Sequence, residues 1–146
     1  MIRLAGLFEI DAIWPHIAAG INECCERVRS DMTPDWLLTQ CRRGDAFLFV
    51  IEEAETGILG KRVLAALIGR SLGYGGDKVL FVNALWGRGM DTWIAELLAS
   101  PWPRDLGFSK VVFEGRKGWE GALPNVRVIR QVYELDLEHG QQNTNL

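Results

Sequence analysis

The sequence predicts an α/β (α+β) fold, a mixed and mostly antiparallel sheet flanked by helices. Three observations predict it. Apolar residues recur at helical spacing from Ile13 to Val28. From Ala46 onward three apolar runs follow one another across short connections, the mark of an antiparallel meander. The third run, Lys78 to Leu85, then stops at glycines beside an arginine and opens directly into a short helix.

Taken in order, residues 2 to 8 form a short first strand, and Asp11 offers an N-cap with Pro15 in the first helical turn. Ile13, Ile17, Ile21 and Val28 share one helical face, with Ala18 and Cys24 filling in, while Asn22, Glu23, Glu26, Arg27 and Arg29 fall on others. Thr33, Pro34 and Asp35 spell a second helix start as cap, first position and acidic first turn, and Gly44 marks its end. Ala46 to Ile51 is a continuous apolar strand, Glu52 to Gly60 a polar turn, and Val63 to Leu72 a second strand broken only by Gly69 and Arg70. Gly73 to Asp77 turn the chain into the strand Lys78 to Leu85. Asp91 to Ala99 is a short helix ended by Pro101 and Pro103, and Lys110 to Glu114 is a fifth strand. Trp119 to Leu123 allows a further helical turn, and Val126 to Leu137 reads as a long last strand with Ile129, Tyr133, Leu135 and Leu137 on one face.

A chain of 146 residues, 48% of them hydrophobic, is the size of one domain with a sizeable core. The expected organisation is one domain over residues 1–138 and a polar tail over residues 139–146. A net charge of −3 gives no general pull toward nucleic acid, and the basic pairs Arg42–Arg43, Lys61–Arg62 and Arg116–Lys117 read as solvated surface. Cys24, Cys25 and Cys41 form no CxxC and have no histidine nearby, which argues against a disulfide framework or a metal site and for a reducing compartment. The N-terminus does not read as an export signal, and no apolar run approaches the roughly twenty residues of a membrane helix. With only His16 and His139, a serine or cysteine triad has no support in the spacing, and Cys41 beside Arg42 and Arg43 reads as core.

Four short segments carry a family resemblance: IWPHI (Ile13 to Ile17), RRGDAFLFV (Arg42 to Val50), the glycine and methionine turn before DTWI (Asp91 to Ile94), and GRKGW (Gly115 to Trp119). With the element order β, α, α, β, β, β, α, β, α, β, the chain resembles the GNAT acyltransferase superfamily over about residues 3 to 138. It is most similar to the short GNAT-like proteins of tailed bacteriophages.

The resemblance implies a sheet splayed between its fourth and fifth strands. In active members, pantetheine lies in that split and its pyrophosphate sits on the N-terminus of the helix after the fourth strand. The corresponding coenzyme-binding positions here are Val82, Leu85, Trp86, Gly87, Arg88, Gly89 and Met90, with Arg116 assisting. Against the superfamily signature Q/R-x-x-G-x-G/A, the segment Leu85 to Met90 keeps a glycine pair and one arginine but departs in spacing. Asp91 stands where phosphate would sit, and a carboxylate there caps a helix but repels phosphate. Many members use a tyrosine acid in the helix after the fifth strand, and Trp119 to Leu123 contains none. Glu114 and Asn83 remain as catalytic candidates that orient a water or an amine.

Trp86, Trp102 and Trp119 sit in or beside loops, where large aromatics mark protein contacts. The expectation is therefore a phage-type GNAT-fold protein with an eroded acetyl-CoA motif, non-catalytic, located in the host cytoplasm or the virion and not secreted. Its partners would be other phage or virion proteins or a second copy of itself, with no membrane and no nucleic acid. The alternative is an acetyl-CoA-dependent N-acetyltransferase acting on an amine. The coenzyme is accordingly none in the first reading and acetyl-CoA in the second.

Overall fold

The computed structural model describes residues 2–27, 32–53, 63–87, 89–113, 125–129, 133 and 135–137. The chain divides into two compact units, residues 1–116 and residues 117–146. The first holds a five-stranded sheet in the order β1-β2-β3-β4-β5. Its strands are β1 (Ile2–Leu4), β2 (Ala46–Glu52), β3 (Val63–Tyr74), β4 (Asp77–Gly87) and β5 (Lys110–Phe113). The first three pairings are antiparallel and the fourth, β4 with β5, is parallel. A mixed sheet flanked by helices is thus what the apolar runs and their connections dictate.

The first helix differs in its start. The opening strand stops at Leu4, and a 3-10 turn over Leu7–Glu9 runs straight into α1 (Ile10–Arg27). Asp11 is therefore inside the first turn, and Pro15 lies beyond it, within the helix. Its missing N–H removes one helical hydrogen bond. The second helix, α2 (Pro34–Arg43), begins as its sequence predicts: the Thr33 hydroxyl accepts a hydrogen bond from the Trp36 backbone N–H at 3.1 Å, with Pro34 in the first turn.

These two helices cover one face of the sheet. Ile10, Ile13, Ile17 and Ile21 of α1 and Leu37 and Cys41 of α2 meet Leu48 and Val50 of β2, Ala66 and Ile68 of β3, and Ala84 of β4. The intervening residues Phe49, Ile51, Ala65 and Leu67 are also buried, so the central strands are apolar on both faces. On the opposite face lies α3 (Met90–Ala99), where Glu96 accepts the Ile2 backbone N–H at 2.9 Å. A four-residue helix, α4 (Trp102–Asp105), follows α3, because a proline that ends one helix is tolerated in the first turn of the next.

The expected last strand is not found among the described residues. The described residues 125–129 carry no regular structure, and Val128, Ile129, Tyr133, Leu135 and Leu137 are exposed. No strand pairs with them among the described residues, and apolar alternation without a partner does not make a strand. Trp119 to Leu123 lies outside the described residues.

Cys41 is fully buried, and burial pushes its thiol from the ordinary value of 9 up to about 12. The unfolded chain ionises this thiol first, so folding loses stability as pH rises above 9 toward 12, by about 1.4 kcal/mol per pH unit at most. Urea unfolding at pH 8 and pH 10.5 is expected to show this loss in the wild type and a smaller one in Cys41→Ala. Parallel losses in both proteins would contradict it.

Candidate functional site

The fourth strand carries the features that distinguish one end of the sheet. Its pairing with β3 runs in register up to Ile68↔Ala84 and resumes at Gly69↔Val82, so Asn83 is an extra residue, a β-bulge. A bulge twists a strand and interrupts its ladder. On the other edge of β4, the described residues of β5 pair in parallel from Val79↔Lys110 to Val82↔Phe113. The fourth strand runs to Gly87.

Asn83 is buried at 8% exposure, and its side chain is engaged on the helical side of the sheet. The Arg70 Nε–H donates to Asn83 Oδ1 at 3.1 Å, and the Asn83 amide donates to the Met32 sulfur at 3.2 Å. The Arg70 guanidinium in turn lies 4.8 Å from the centroid of the Trp36 ring. Two polar groups inside an apolar sheet are thereby satisfied by each other, and they hold the bulge against α2.

Beyond the bulge the chain turns at two glycines. Gly87 (φ 129) and Gly89 (φ 67) both occupy the positive region that side chains avoid, and a Cβ on Gly87 would collide with Ala65. Gly89 is the N-cap of α3 and has no side chain with which to cap it. The first helical bond runs from the Trp93 N–H to the Gly89 carbonyl at 3.1 Å. The N–H groups of the first turn therefore face outward at the positive end of the helix dipole.

A pocket of about 630 Å³ lies at the same end of the sheet, between the C-terminal half of α1, the facing ends of β2 and β3, the end of β4 and Trp93. Its wall is built by close packing. The Trp86 indole lies directly on Gly20 of α1, where a Cβ would overlap the ring. The Cys24 thiol donates to the Leu85 carbonyl at 3.1 Å, and burial raises its pKa, so it stays a neutral thiol. The Trp93 Nε1–H is buried without a hydrogen-bond partner. An orphan donor of this kind costs about 1–3 kcal/mol unless a ligand or water meets it.

The residues singled out from the sequence therefore fall into three groups. Val82, Leu85, Trp86, Gly87 and Gly89, with the Met90 backbone, are brought together along the end of β4 and the start of α3. Trp102 stands apart: it is half-buried, and its indole N–H donates to the Ile2 carbonyl at 3.4 Å. Arg88, Glu114, Arg116 and Trp119 lie outside the described residues. Gly20, Arg70 and Trp93 were not singled out as site residues. Gly20 and Arg70 left a signal, a glycine inside a helix and a cation inside an apolar strand.

No protein-family model matches the sequence, and no curated protein matches it. Solved structures do. A crystal structure of a probable acetyltransferase superposes with a TM-score of 0.61 at 13% identity, covering 93% of this chain and 97% of the other. The ribosomal-protein-alanine N-acetyltransferase of Brucella melitensis biovar Abortus 2308 gives 0.57 at 15% identity, covering 93% and 99%. A predicted acetyltransferase from Clostridium acetobutylicum, solved with acetyl-CoA, gives 0.57 at 10% identity, covering 95% and 97%. The chain has the GNAT acetyltransferase fold. The phage resemblance has no counterpart among these three structures.

The contact between Gly20 and Trp86 supplies a direct check on this wall. Gly20→Ala is expected to lower stability by about 1–3 kcal/mol, as overpacking does, and to change Trp fluorescence in the native baseline. Unchanged urea unfolding and an unchanged spectrum would show that the indole does not rest on α1.

Proposed function

We propose that this chain binds an acyl-coenzyme A along the end of β4 and transfers the acyl group to an amine. One observation carries the reading: β4 is bulged at Asn83 and leads, through two glycines of positive φ, into the N-terminus of α3. Backbone groups that a bulge frees from its ladder can pair with an extended chain of amides, as in strand addition. Pantetheine is such a chain. A helix N-terminus behind glycines suits a pyrophosphate.

The parts follow from those positions. Val82, Leu85 and Trp86 would line the pantetheine, and the backbone of Gly87, Gly89 and Met90 would receive the pyrophosphate, with Arg88 and Arg116 adding positive charge. The buried Trp93 N–H would meet an oxygen of the bound molecule. When bound, the coenzyme supplies an acyl group activated as a thioester. The chain's own contribution is to hold the carbonyl against backbone N–H groups near the bulge, where charge develops on its oxygen. Glu114 and Asn83 would position the amine, Asn83 chiefly by fixing the bulge through Arg70.

The solved neighbours are acetyltransferases, one of them with acetyl-CoA, and this favours the acyltransferase over the virion component. In an active chain the signature's departures are tolerable because most of the proposed contacts come from backbone groups, which do not depend on side-chain identity.

Titration calorimetry with acetyl-CoA is expected to give a micromolar dissociation constant, on the order of −8 kcal/mol. Gly89→Asp and Gly89→Asn separate charge from strain, because both residues tolerate the left-handed conformation. Gly89→Asp should bind acetyl-CoA about tenfold more weakly than Gly89→Asn. Equal affinities, or no binding by the wild type, would remove the coenzyme from this site.

A further inference from the structure

Arg70 is the one charged residue of β3, and among the described residues only its Nε–H is hydrogen-bonded. We propose that its remaining donors bind the carboxylate of a small organic acid with an apolar body, on the face of the sheet beside the N-terminal turn of α2. The inference is independent of the acyltransferase reading.

The position follows from the register. Ala46 of β2, Arg70 of β3, Phe81 of β4 and Val112 of β5 are partners across four neighbouring strands, so they form one row and share a face. It is the face on which Ile68 and Ala66, earlier along β3, meet α1 and α2. Arg70 is therefore a cation in an apolar row, half-buried and still open to solvent.

A guanidinium in such a place is costly unless its donors are met. One of them is, by Asn83 Oδ1 at 3.1 Å, and the Trp36 ring, its centroid 4.8 Å from the guanidinium carbon, takes up part of the charge. These two contacts fix where the group sits and how it is turned. The Nη donors make no hydrogen bond or ion pair among the described residues. Bracing Asn83 takes a single N–H, so the Nη fork is left over from that role.

A planar fork held in place loses little entropy when it takes both oxygens of a carboxylate, and it matches them in geometry. Phosphate offers the same oxygens with more charge. Beside one guanidinium and the apolar side chains of Ala46, Phe81 and Val112, the extra charge would be desolvated without a partner, whereas a hydrocarbon body would be buried with gain. The row thus favours a monocarboxylate over a phosphate.

Titration of the full chain, without coenzyme, with isocaproate and with its amide, isocaproamide, tests this at neutral pH. The two differ in little but charge. The wild type should bind the acid about tenfold more tightly than the amide. Arg70→Gln, which keeps an N–H for Asn83, should bind both alike, and Arg70→Lys, with the charge but not the fork, should keep part of the preference. A purely structural role for Arg70 would weaken both ligands together and leave their ratio unmoved. Inorganic phosphate should not displace isocaproate from the wild type. No isocaproate binding, equal binding of acid and amide by the wild type, an undiminished preference in Arg70→Gln, or displacement by phosphate overturns the proposal. The wild-type comparison stands even where a variant fails to fold.

Discussion

The extra residue at Asn83 is the constraint on which the rest of the site depends. An antiparallel ladder on one edge of β4 and a parallel ladder on the other would together leave no backbone group for a ligand. Inserting one residue interrupts the ladder with β3 and increases the local twist of β4. A polar side chain in the middle of an apolar sheet is costly unless paired. Here the cost is offset by Arg70, itself stacked on Trp36, so that the bulge, the sheet face and α2 form one unit.

The second constraint is the close approach of α1 to the end of β4. Gly20 lets the Trp86 indole lie on the helix, and Cys24 four residues later reaches the Leu85 carbonyl. The same face of α1 then presents Glu23 and Arg27 to the pocket.

Much of this was legible in the chain. The meander from Ala46 to Gly87 follows from apolar runs and turn residues, and α2 follows from Thr33 and Pro34, whose capping chemistry is local. The glycine turn before α3 was legible for the same reason. What was not legible depends on partners distant in sequence. Nothing at Asn83 announces a bulge, because a bulge is a relation between two strands. The loop position of Trp86 pointed outward in the sequence, yet its ring packs on a helix some sixty-six residues earlier in the chain. Alternation in Val126 to Leu137 looked like a strand, but alternation specifies a face and not a partner.

Amide hydrogen exchange of residues 83–93 with and without coenzyme A measures the claim directly, because it reads backbone groups one by one. In the free protein, amides of residues 83–87 that do not bond to β3, and those opening α3, are predicted to exchange fast and to slow by tenfold or more on saturation, on the order of the protection a bound ligand confers. Amides already protected in the free protein and unchanged by coenzyme A would mean that this edge of β4 is closed, and the account built on it would fail.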